Sequence, residues 1–142
     1  MHRELLRVGG QQRLRRQIAQ HDRCGLAQHG FEPGLRERAF GVFEGLTWAE
    51  IERDHPVQSE RWRRRDPEFG PEGGETLESF YARCVACVTA LAAHHRGEVL
   101  ALVAHGGVLD CLYRAATRVE LRAPRSWQLG NASINRLLYT PQ

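Results

Sequence analysis

The sequence predicts an α/β fold because of one apolar run and the segments on either side of it. Residues Val99 to Ala104 (VLALVA) form a continuous apolar run of strand length. Such a run is typical of a strand that is buried on both faces in a parallel sheet. A helical pattern precedes it, and a His-Gly-Gly turn with a second helical pattern follows it. Helix, buried strand, glycine turn and helix in succession indicate α/β architecture.

The helix before the apolar run is predicted from Thr76 to His95, with Gly97 as its stop. Apolar residues recur there at spacings of three and four and define one helical face. The face consists of Leu77, Phe80, Tyr81, Cys84, Val85, Val88, Leu91 and Ala92. Cys84 and Cys87 have CxxC spacing, but they lie inside this helix and no second pair completes a zinc site. We interpret both cysteines as small buried hydrophobes.

Capping signals predict an earlier helix. Thr47-Trp48-Ala49-Glu50 is a capping box, with a threonine at the cap and a glutamate three residues later. The helix should run to about Asp54, because Pro56 disfavours helical backbone in the residue before it. A further helix is expected over 57–65.

The remaining elements follow from turn residues and apolar periodicity. Asp66 to Glu75 contains two Pro and three Gly and is predicted to be a loop. After the apolar run, a helix should extend from Val108 to about Arg118. Ser133 to Tyr139 has the pattern of a final strand. Near the start of the chain, 11–21 could form a short basic helix, and 25–34 reads as a loop.

Residues 1–34 differ from the rest of the chain in charge. They hold six Arg against three acidic residues, whereas residues 35–142 hold 14 Arg and 14 acidic residues. We therefore predict a basic N-terminal arm over 1–34 and one domain over 35–142. A basic arm can bind nucleic acid. This one has no aromatic residue before Phe31 on which a base could stack, which argues against a nucleic-acid partner.

Composition narrows the compartment and excludes some partners. No apolar run approaches the roughly 18 residues that a membrane span requires, so no membrane partner is expected. The N-terminal residues lack the apolar region of a signal peptide. The four cysteines suggest no disulfide framework, which agrees with a reducing compartment. The expected location is the cytoplasm.

His105 occupies the position at which a ligand is expected. Ligands of open α/β sheets bind at the carboxyl ends of strands, and His105 follows the predicted strand directly. The first turn of the next helix presents unpaired N–H groups and a positive dipole end, which suits a phosphate. Taken alone, this pattern is equally compatible with a core histidine whose ring bonds to a backbone carbonyl.

Three segments together favour the phosphate interpretation. Leu35 to Gly45 (LRERAFGVFEG) has the form L-x-E-x-x-x-G-x-x-E-G. Gly73-Gly74-Glu75-Thr76 follows, and then the Val-Ala-His-Gly-Gly turn that contains His105. In their order and spacing these segments resemble the histidine phosphatase family, the phosphoglycerate-mutase-like group. The resemblance covers Leu35 to Tyr139.

The resemblance implies a fold and a mechanism. The fold is three-layer α/β/α with a mainly parallel central sheet, here incomplete because the family's first strand is absent. In the family, a histidine in an Arg-His-Gly motif attacks phosphorus and forms a phosphohistidine, while a glutamate of the L-x-E segment protonates the leaving oxygen. Arginines and a second histidine hold the phosphoryl oxygens, and no metal or other cofactor is needed. The implied partner is a small phosphate ester or a phosphate anion.

Individual positions carry the resemblance into this chain. His105 matches the second histidine, and Glu37 matches the proton donor. Arg38 lies where some relatives contact substrate, and Gly106 and Gly107 would present their N–H groups to the phosphate. Glu44 and Glu75 are interpreted as structural, with Glu75 at the junction between the loop and the long helix. Arg61 to Arg65 could lie over the pocket, although a solvated helix face is the expected fate of this run.

The chain departs from the family pattern in its first 34 residues. They contain no Arg-His-Gly motif after an apolar strand and no R-A-x-x-T-A segment. His29 stands in a Gln-His-Gly sequence with only seven residues between it and Glu37, too near to be the nucleophile. His21, His94 and His95 are read as solvated or helix-end residues. We expect a truncated or frameshifted phosphatase with little activity, whose exposed sheet edge favours self-association. The alternative is a non-catalytic protein that binds a phosphorylated ligand.

Overall fold

The computed structural model describes residues 30–140. Four α-helices and two short 3-10 turns make up the regular structure of this part of the chain. The helices are α1 (Trp48–Asp54), α2 (Pro56–Arg63), α3 (Leu77–His94) and α4 (Gly106–Thr117), and the 3-10 turns are Pro33–Leu35 and Gly41–Phe43. Predictions that concern 1–29, including the basic helix, Cys24, His21 and His29, lie outside the described residues.

Helix α1 begins and ends where its local signals predict. The Thr47 side chain accepts a hydrogen bond from the backbone N–H of Glu50, and the Glu50 carboxylate accepts one from the N–H of Thr47. This reciprocal arrangement is a complete capping box, which supplies acceptors for two N–H groups that the helix itself leaves unpaired. Pro56 ends α1 and provides the first residue of α2, a position where its missing N–H costs nothing.

Helices α3 and α4 pack against each other and form the main core. Thr76 caps α3 by accepting a hydrogen bond from the N–H of Ser79. The predicted apolar face of α3 points inward, and both Cys84 on α3 and Cys111 on α4 are buried. The buried core residues are Leu35, Phe80, Cys84, Ala104, Val108, Leu109, Cys111 and Leu112. Cys87 is partly buried beside them, as the small-hydrophobe interpretation predicts.

A second, smaller cluster holds α1 and α2 against the loop that precedes α3. Phe43, Ile51 and Phe69 are buried there, and Phe40 and Trp62 pack on them. Gly41 makes this packing possible, because it has a φ of 51° and a side chain at its Cα would collide with the backbone of Glu72. The loop over 66–75 places Phe69 in this smaller cluster and then leads into α3, which belongs to the main core.

The predicted strand Val99–Ala104 does not form a sheet within residues 30–140. Ala101 makes an isolated β-bridge, and the rest of the run has no strand assignment. Burial alternates along it: Ala104 is buried, whereas Val99 is 93% exposed and Val103 is exposed as well. The continuous apolar run predicted two covered faces, but the described residues cover one. A strand needs neighbours that pair with its backbone, and apolar sequence alone does not provide them.

The predicted final strand, Ser133–Tyr139, does not form either, because none of its residues has a strand assignment. Leu137 packs against the core, while Ile134 and Leu138 are each 61% exposed. Both segments show the alternating burial that is typical of a strand, but neither forms a ladder of backbone hydrogen bonds within residues 30–140.

Helix α4 also differs slightly from its prediction, since it begins at Gly106 and not at Val108. None of the helices within 30–140 is both long and apolar enough to cross a bilayer.

Candidate functional site

Glu37 and Gly107 bring two of the sequence motifs into contact. The backbone N–H of Gly107 donates to Glu37 Oε2 at 3.3 Å, and the N–H of Arg38 donates to Glu37 Oε1 at 2.9 Å. The L-x-E segment and the His-Gly-Gly turn, 70 positions apart in sequence, therefore meet at the N-terminus of α4. Gly107 is required for this approach, because a Cβ there would lie well inside contact distance of Glu37 Oε1.

His105 lies at the N-cap of α4. Its backbone is extended, and its carbonyl accepts the hydrogen bond from the N–H of Leu109 that starts the helix. The imidazole makes no hydrogen bond with residues 30–140 and is only half-buried. Among residues 30–140 the His105 ring bonds to no backbone carbonyl, so the described part of the chain does not support the alternative of a core histidine.

Arg38 is buried beside the second aromatic cluster. Its Nε donates to the carbonyl of Glu75 at 3.0 Å and its Nη2 to the carbonyl of Phe69 at 2.7 Å. The guanidinium carbon lies 4.4 Å from the centre of the Trp62 ring. Burial lowers the pKa of Arg38 to about 10, so the side chain is still charged at neutral pH. It ties the L-x-E segment to the loop before α3.

A cavity of about 190 Å³ opens beside Glu37, Arg38 and Gly107. Its polar wall is completed by Arg65, Asp66 and Asp110. Its apolar wall is formed by Phe40, Trp62, Phe69, Leu77 and Phe80, with Cys111 at the base. An engineered apolar cavity of roughly 150 Å³ in another protein holds benzene. The space here suits one small organic group next to the two motifs.

Asp110 lies in the wall of this cavity with Arg65 and binds two arginines. Asp110 Oδ2 accepts hydrogen bonds from Arg65 Nη2 at 2.7 Å and from Arg114 Nε at 2.9 Å. Arg114 is fully buried, and its guanidinium carbon stacks 4.7 Å from the centre of the Trp127 ring. Asp110 Oδ1 and Arg114 Nη2 are buried and have no hydrogen-bond partner among residues 30–140.

Asp110 was not predicted from the sequence as a site residue. One signal was present: an acidic residue and an arginine stand four positions apart on the apolar face of a helix, at Asp110 and Arg114. That spacing places the two side chains next to each other on a helix. Of the four arginines between 61 and 65, Arg65 alone lines the cavity. Arg61, Arg63 and Arg64 pair with acidic groups at the surface, as expected of a solvated face.

Glu75 holds the loop before α3 in place and does not reach the cavity. Its carboxylate accepts two hydrogen bonds from Arg83, one from Arg36 and one from the N–H of Ala39. These bonds, with that of Arg83 the strongest, hold the pKa of Glu75 below its usual value. The structural interpretation of Glu75 is confirmed, although the helix cap is Thr76. His94 and His95 lie at the end of α3, where they bond to the Ala90 carbonyl and to Glu98.

The sequence model of the histidine phosphatase superfamily (branch 1) matches residues 12–142. The match includes part of the segment that we predicted to be a basic arm, and the boundary between residues 34 and 35 stays a prediction. Phosphoglycerate mutase-like protein 4 of Arabidopsis thaliana is 31% identical over 115 residues, which are 80% of this chain and 48% of that protein. The resemblance inferred from the motifs is confirmed.

Two phosphatases are similar at the same level. The metal-independent phosphoserine phosphatase of Arabidopsis thaliana is 33% identical over 104 residues, 72% of this chain and 42% of that protein. The glucosyl-3-phosphoglycerate phosphatase of Mycobacterium tuberculosis is 33% identical over 112 residues, 72% of this chain and 50% of that protein. The chain thus spans about half the length of the curated relatives it matches.

Solved structures share the fold. Bacillus stearothermophilus YhfR superposes with a TM-score of 0.75 at 24% identity, covering 91% of this chain and 63% of that one. The mycobacterial glucosyl-3-phosphoglycerate phosphatase in complex with VO3 superposes with a TM-score of 0.69 at 32% identity, covering 85% and 61% respectively. The phosphoglycerate-mutase-like fold class is therefore established, although the described residues contain almost no strand.

Proposed function

The chain belongs to the histidine phosphatase superfamily (branch 1), and from that membership we propose that it carries the phosphate-binding and proton-donating part of a phosphomonoester hydrolase site. The observation that carries the proposal is the hydrogen bond between the N–H of Gly107 and Glu37. It joins the two motifs at a helix N-terminus, where a phosphate is favoured by free N–H groups and the helix dipole. We further propose that 99–104 belongs to the parallel central sheet of a three-layer α/β/α fold.

Each group at the helix N-terminus has a role in this proposal. The phosphate lies against the first turn of α4, at Gly106 and Gly107, where it takes the Gly107 N–H that donates to the Glu37 carboxylate in its absence. His105 donates a hydrogen bond to a phosphoryl oxygen. Such preorganised donors stabilise the charge that builds up on the transferred phosphoryl group. Glu37 gives its proton to the oxygen that leaves phosphorus, and the released alcohol occupies the adjacent cavity. Arg38 forms part of the wall that the alcohol contacts.

The covalent step needs a nucleophile. In the family mechanism a histidine of an Arg-His-Gly tripeptide takes the phosphoryl group from the ester oxygen, and water then releases phosphate from the phosphohistidine. That tripeptide does not occur in the 142 residues. Loss of the nucleophile lowers the rate of another hydrolase by about 10⁶-fold. We therefore propose that this chain binds phosphate and phosphate esters but hydrolyses them very slowly.

The second candidate is a non-catalytic protein that uses the same site to hold a phosphorylated ligand. The missing tripeptide favours it as well, and the His105 ring has no hydrogen-bond partner among residues 30–140. The two candidates agree on binding and differ on turnover. Orthovanadate, phosphate and 4-nitrophenyl phosphate are suitable probes for both.

The test compares three proteins: the wild type, His105→Ala and His95→Ala, whose histidine lies at the exposed end of α3. A ligand that binds only the folded state at about 100 times its Kd raises the unfolding free energy by about 2.7 kcal/mol. We expect orthovanadate to stabilise the wild type and His95→Ala, but not His105→Ala. Equal stabilisation of all three proteins, or of none, would contradict a site at His105.

Turnover of 4-nitrophenyl phosphate separates the two candidates. Release of nitrophenol above the His105→Ala background, and lost in Glu37→Gln, supports the hydrolase. Binding of vanadate without any release supports the binding protein. Glu37→Gln should still bind vanadate, because a glutamine side chain preserves an acceptor for the Gly107 N–H.

A further inference from the structure

Helix α4 differs from α1 and α3 in how its first turn is capped. Thr47 and Thr76 cap α1 and α3 with their own side chains. At α4 the cap position is His105, whose side chain makes no capping hydrogen bond, and the first turn of the helix holds no acidic residue. The N–H of Gly107 donates instead to Glu37 Oε2 at 3.3 Å. A carboxylate from 70 positions away in the sequence therefore caps α4.

The Glu37 carboxylate lies where an anion is favoured. Helix N-termini attract carboxylates and phosphates for the same two reasons, the unpaired N–H groups and the positive end of the helix dipole. The second oxygen of the carboxylate, Oε1, accepts a hydrogen bond from the N–H of Arg38 at 2.9 Å. Each oxygen thus accepts from a backbone N–H, and the side chain itself fills the anion position at the end of α4.

The contact at Gly107 leaves no room for a second anion beside the first. A Cβ at Gly107 would collide with Glu37 Oε1 and would lie 3.2 Å from Cε1 of Phe80. A phosphate that accepts from the Gly107 N–H must therefore displace the carboxylate. The displaced group is then next to a dianion, and two negative charges in one site disfavour each other until one of them is protonated.

We propose that the Glu37 carboxylate closes the phosphate site of the resting protein, and that a phosphate dianion displaces it from Gly107 while Glu37 takes up one proton from water. The inference rests on the proposed function, in which the phosphate binds at the N-terminus of α4. The O–H bond of the carboxylic acid is the one covalent bond that forms, and its proton comes from the solvent. The empty site holds a carboxylate and the occupied site holds an acid, so the substrate itself loads the proton donor.

Other titratable and charged groups lie beside Glu37 or share the cavity wall with it. They are Arg38 on the same segment, Cys84 on α3, His105, Asp110 and Cys111 on α4, and Arg65 and Asp66 after α2. His105 can also take up a proton when an anion binds. All of these groups are kept when Glu37 is replaced, so the difference between the wild type and a Glu37 variant isolates the proton on Glu37.

The experiment measures how the affinity for sulfate depends on pH. Sulfate is a tetrahedral dianion that does not titrate near neutral pH, so protons taken up on binding go to the protein. Its affinity is obtained from the rise in unfolding free energy with sulfate concentration, with sodium chloride added to hold the ionic strength constant. The proteins are the wild type, Glu37→Gln, Glu37→Ala and Glu44→Gln. Glu44 is the matched control, because it also accepts from a backbone N–H, that of Phe40, but is exposed and lies outside the cavity.

The wild type should lose affinity with rising pH more steeply than Glu37→Gln. Between about pH 5 and about pH 7 the extra loss should approach about tenfold per pH unit, because binding to the wild type consumes one additional proton. Glu37→Gln should therefore bind sulfate more tightly than the wild type at neutral pH, and Glu44→Gln should follow the wild type. Equal pH slopes in the wild type and Glu37→Gln would overturn the inference.

The outcomes also separate this inference from the proposed function. If sulfate stabilises all four proteins with the same pH slope, the inference is wrong and the phosphate site stands. If sulfate stabilises none of them at any pH, the proposed function fails and the inference fails with it. Glu37→Ala also removes the carboxylate and carries the same expectation as Glu37→Gln, so it decides the question should Glu37→Gln not fold.

Discussion

Two carboxylates in this molecule each bind two arginines from different segments, and they differ in how completely they are satisfied. Glu75 accepts from Arg83, Arg36 and the N–H of Ala39, so both of its oxygens are used. Asp110 accepts from Arg65 and Arg114 on one oxygen, while the other accepts from nothing within residues 30–140. Glu75 lies at the end of the loop before α3, and Asp110 lines the cavity.

The difference indicates what each group is for. A fully satisfied network fixes a conformation, and its removal has a structural effect alone. A buried network that leaves polar atoms unpaired is costly unless those atoms serve another purpose. Glu75 therefore positions the loop between the two hydrophobic clusters. Asp110 positions Arg65 at the cavity wall, and its second oxygen has no hydrogen-bond partner among residues 30–140.

The largest effect is expected for Asp110→Asn. It removes the counter-charge of Arg114, which is fully buried, and of Arg65 together. Removal of one partner from a buried ion pair costs about 3–5 kcal/mol. Urea denaturation should show a loss of this size in the free energy of unfolding.

Asp66→Asn is the control for that measurement, since Asp66 also pairs with one arginine, Arg61, but at the surface. It should leave the free energy of unfolding close to that of the wild type. Equal losses of unfolding free energy in Asp110→Asn and Asp66→Asn would mean that the buried ion pairs of Asp110 stabilise the protein no more than a surface pair does.

Glu75→Gln should have the second-largest effect. It keeps the shape of the side chain and removes its charge, and so weakens the bonds from Arg83 and Arg36. Because hydrogen bonds to charged groups contribute about 1.5–3 kcal/mol each and the amide retains part of them, we expect a loss of about 2 kcal/mol. Glu78→Gln, an exposed change in the first turn of α3, is the control and should cost much less. Unchanged affinity for vanadate would confirm that Glu75 acts on the loop alone.

The two carboxylate networks also show which features of the fold and the site could be predicted from the sequence alone. Local signals placed the helices correctly, because a capping box, a proline or a glycine acts on its own neighbours. The family resemblance assigned Glu37 and Gly107 to one site, but the hydrogen bond between them was not predicted, and no local rule predicts it. Asp110 and Arg65 were not paired in advance, because 45 positions separate them and their meeting depends on how α2 and α4 pack. The strand Val99–Ala104 was predicted from its apolar content, but pairing depends on neighbours that the run itself does not specify.

The pH dependence of stability provides the third test. The pKa of Glu75 is lowered from its ordinary value of 4.5, mainly by the hydrogen bond from Arg83. A carboxyl with a lowered pKa stabilises the folded state above its unfolded pKa, and that stabilisation is lost as pH falls through the lower, folded value. The difference in unfolding free energy between wild type and Glu75→Gln should be constant from about pH 7 to about pH 5. It should shrink below about pH 4.5, and a difference that is independent of pH would show that the charge of Glu75 does not matter.

The smallest effect is expected within the Glu75 network itself, where the two arginines are not equivalent. Arg36 is 54% exposed and gives Glu75 one bond at 3.1 Å, whereas Arg83 is 17% exposed and gives two bonds at 2.8 and 2.7 Å. Exposed ion pairs contribute about 0–1 kcal/mol because water screens them and the long side chains lose entropy. Arg36→Gln should therefore cost less than about 1 kcal/mol, and Arg83→Gln about 2 kcal/mol or more, since Arg83 also donates to the carbonyls of Gly34 and Arg36. Equal losses of unfolding free energy in urea denaturation would mean that Arg36 and Arg83 contribute equally to the Glu75 network, despite their different exposure.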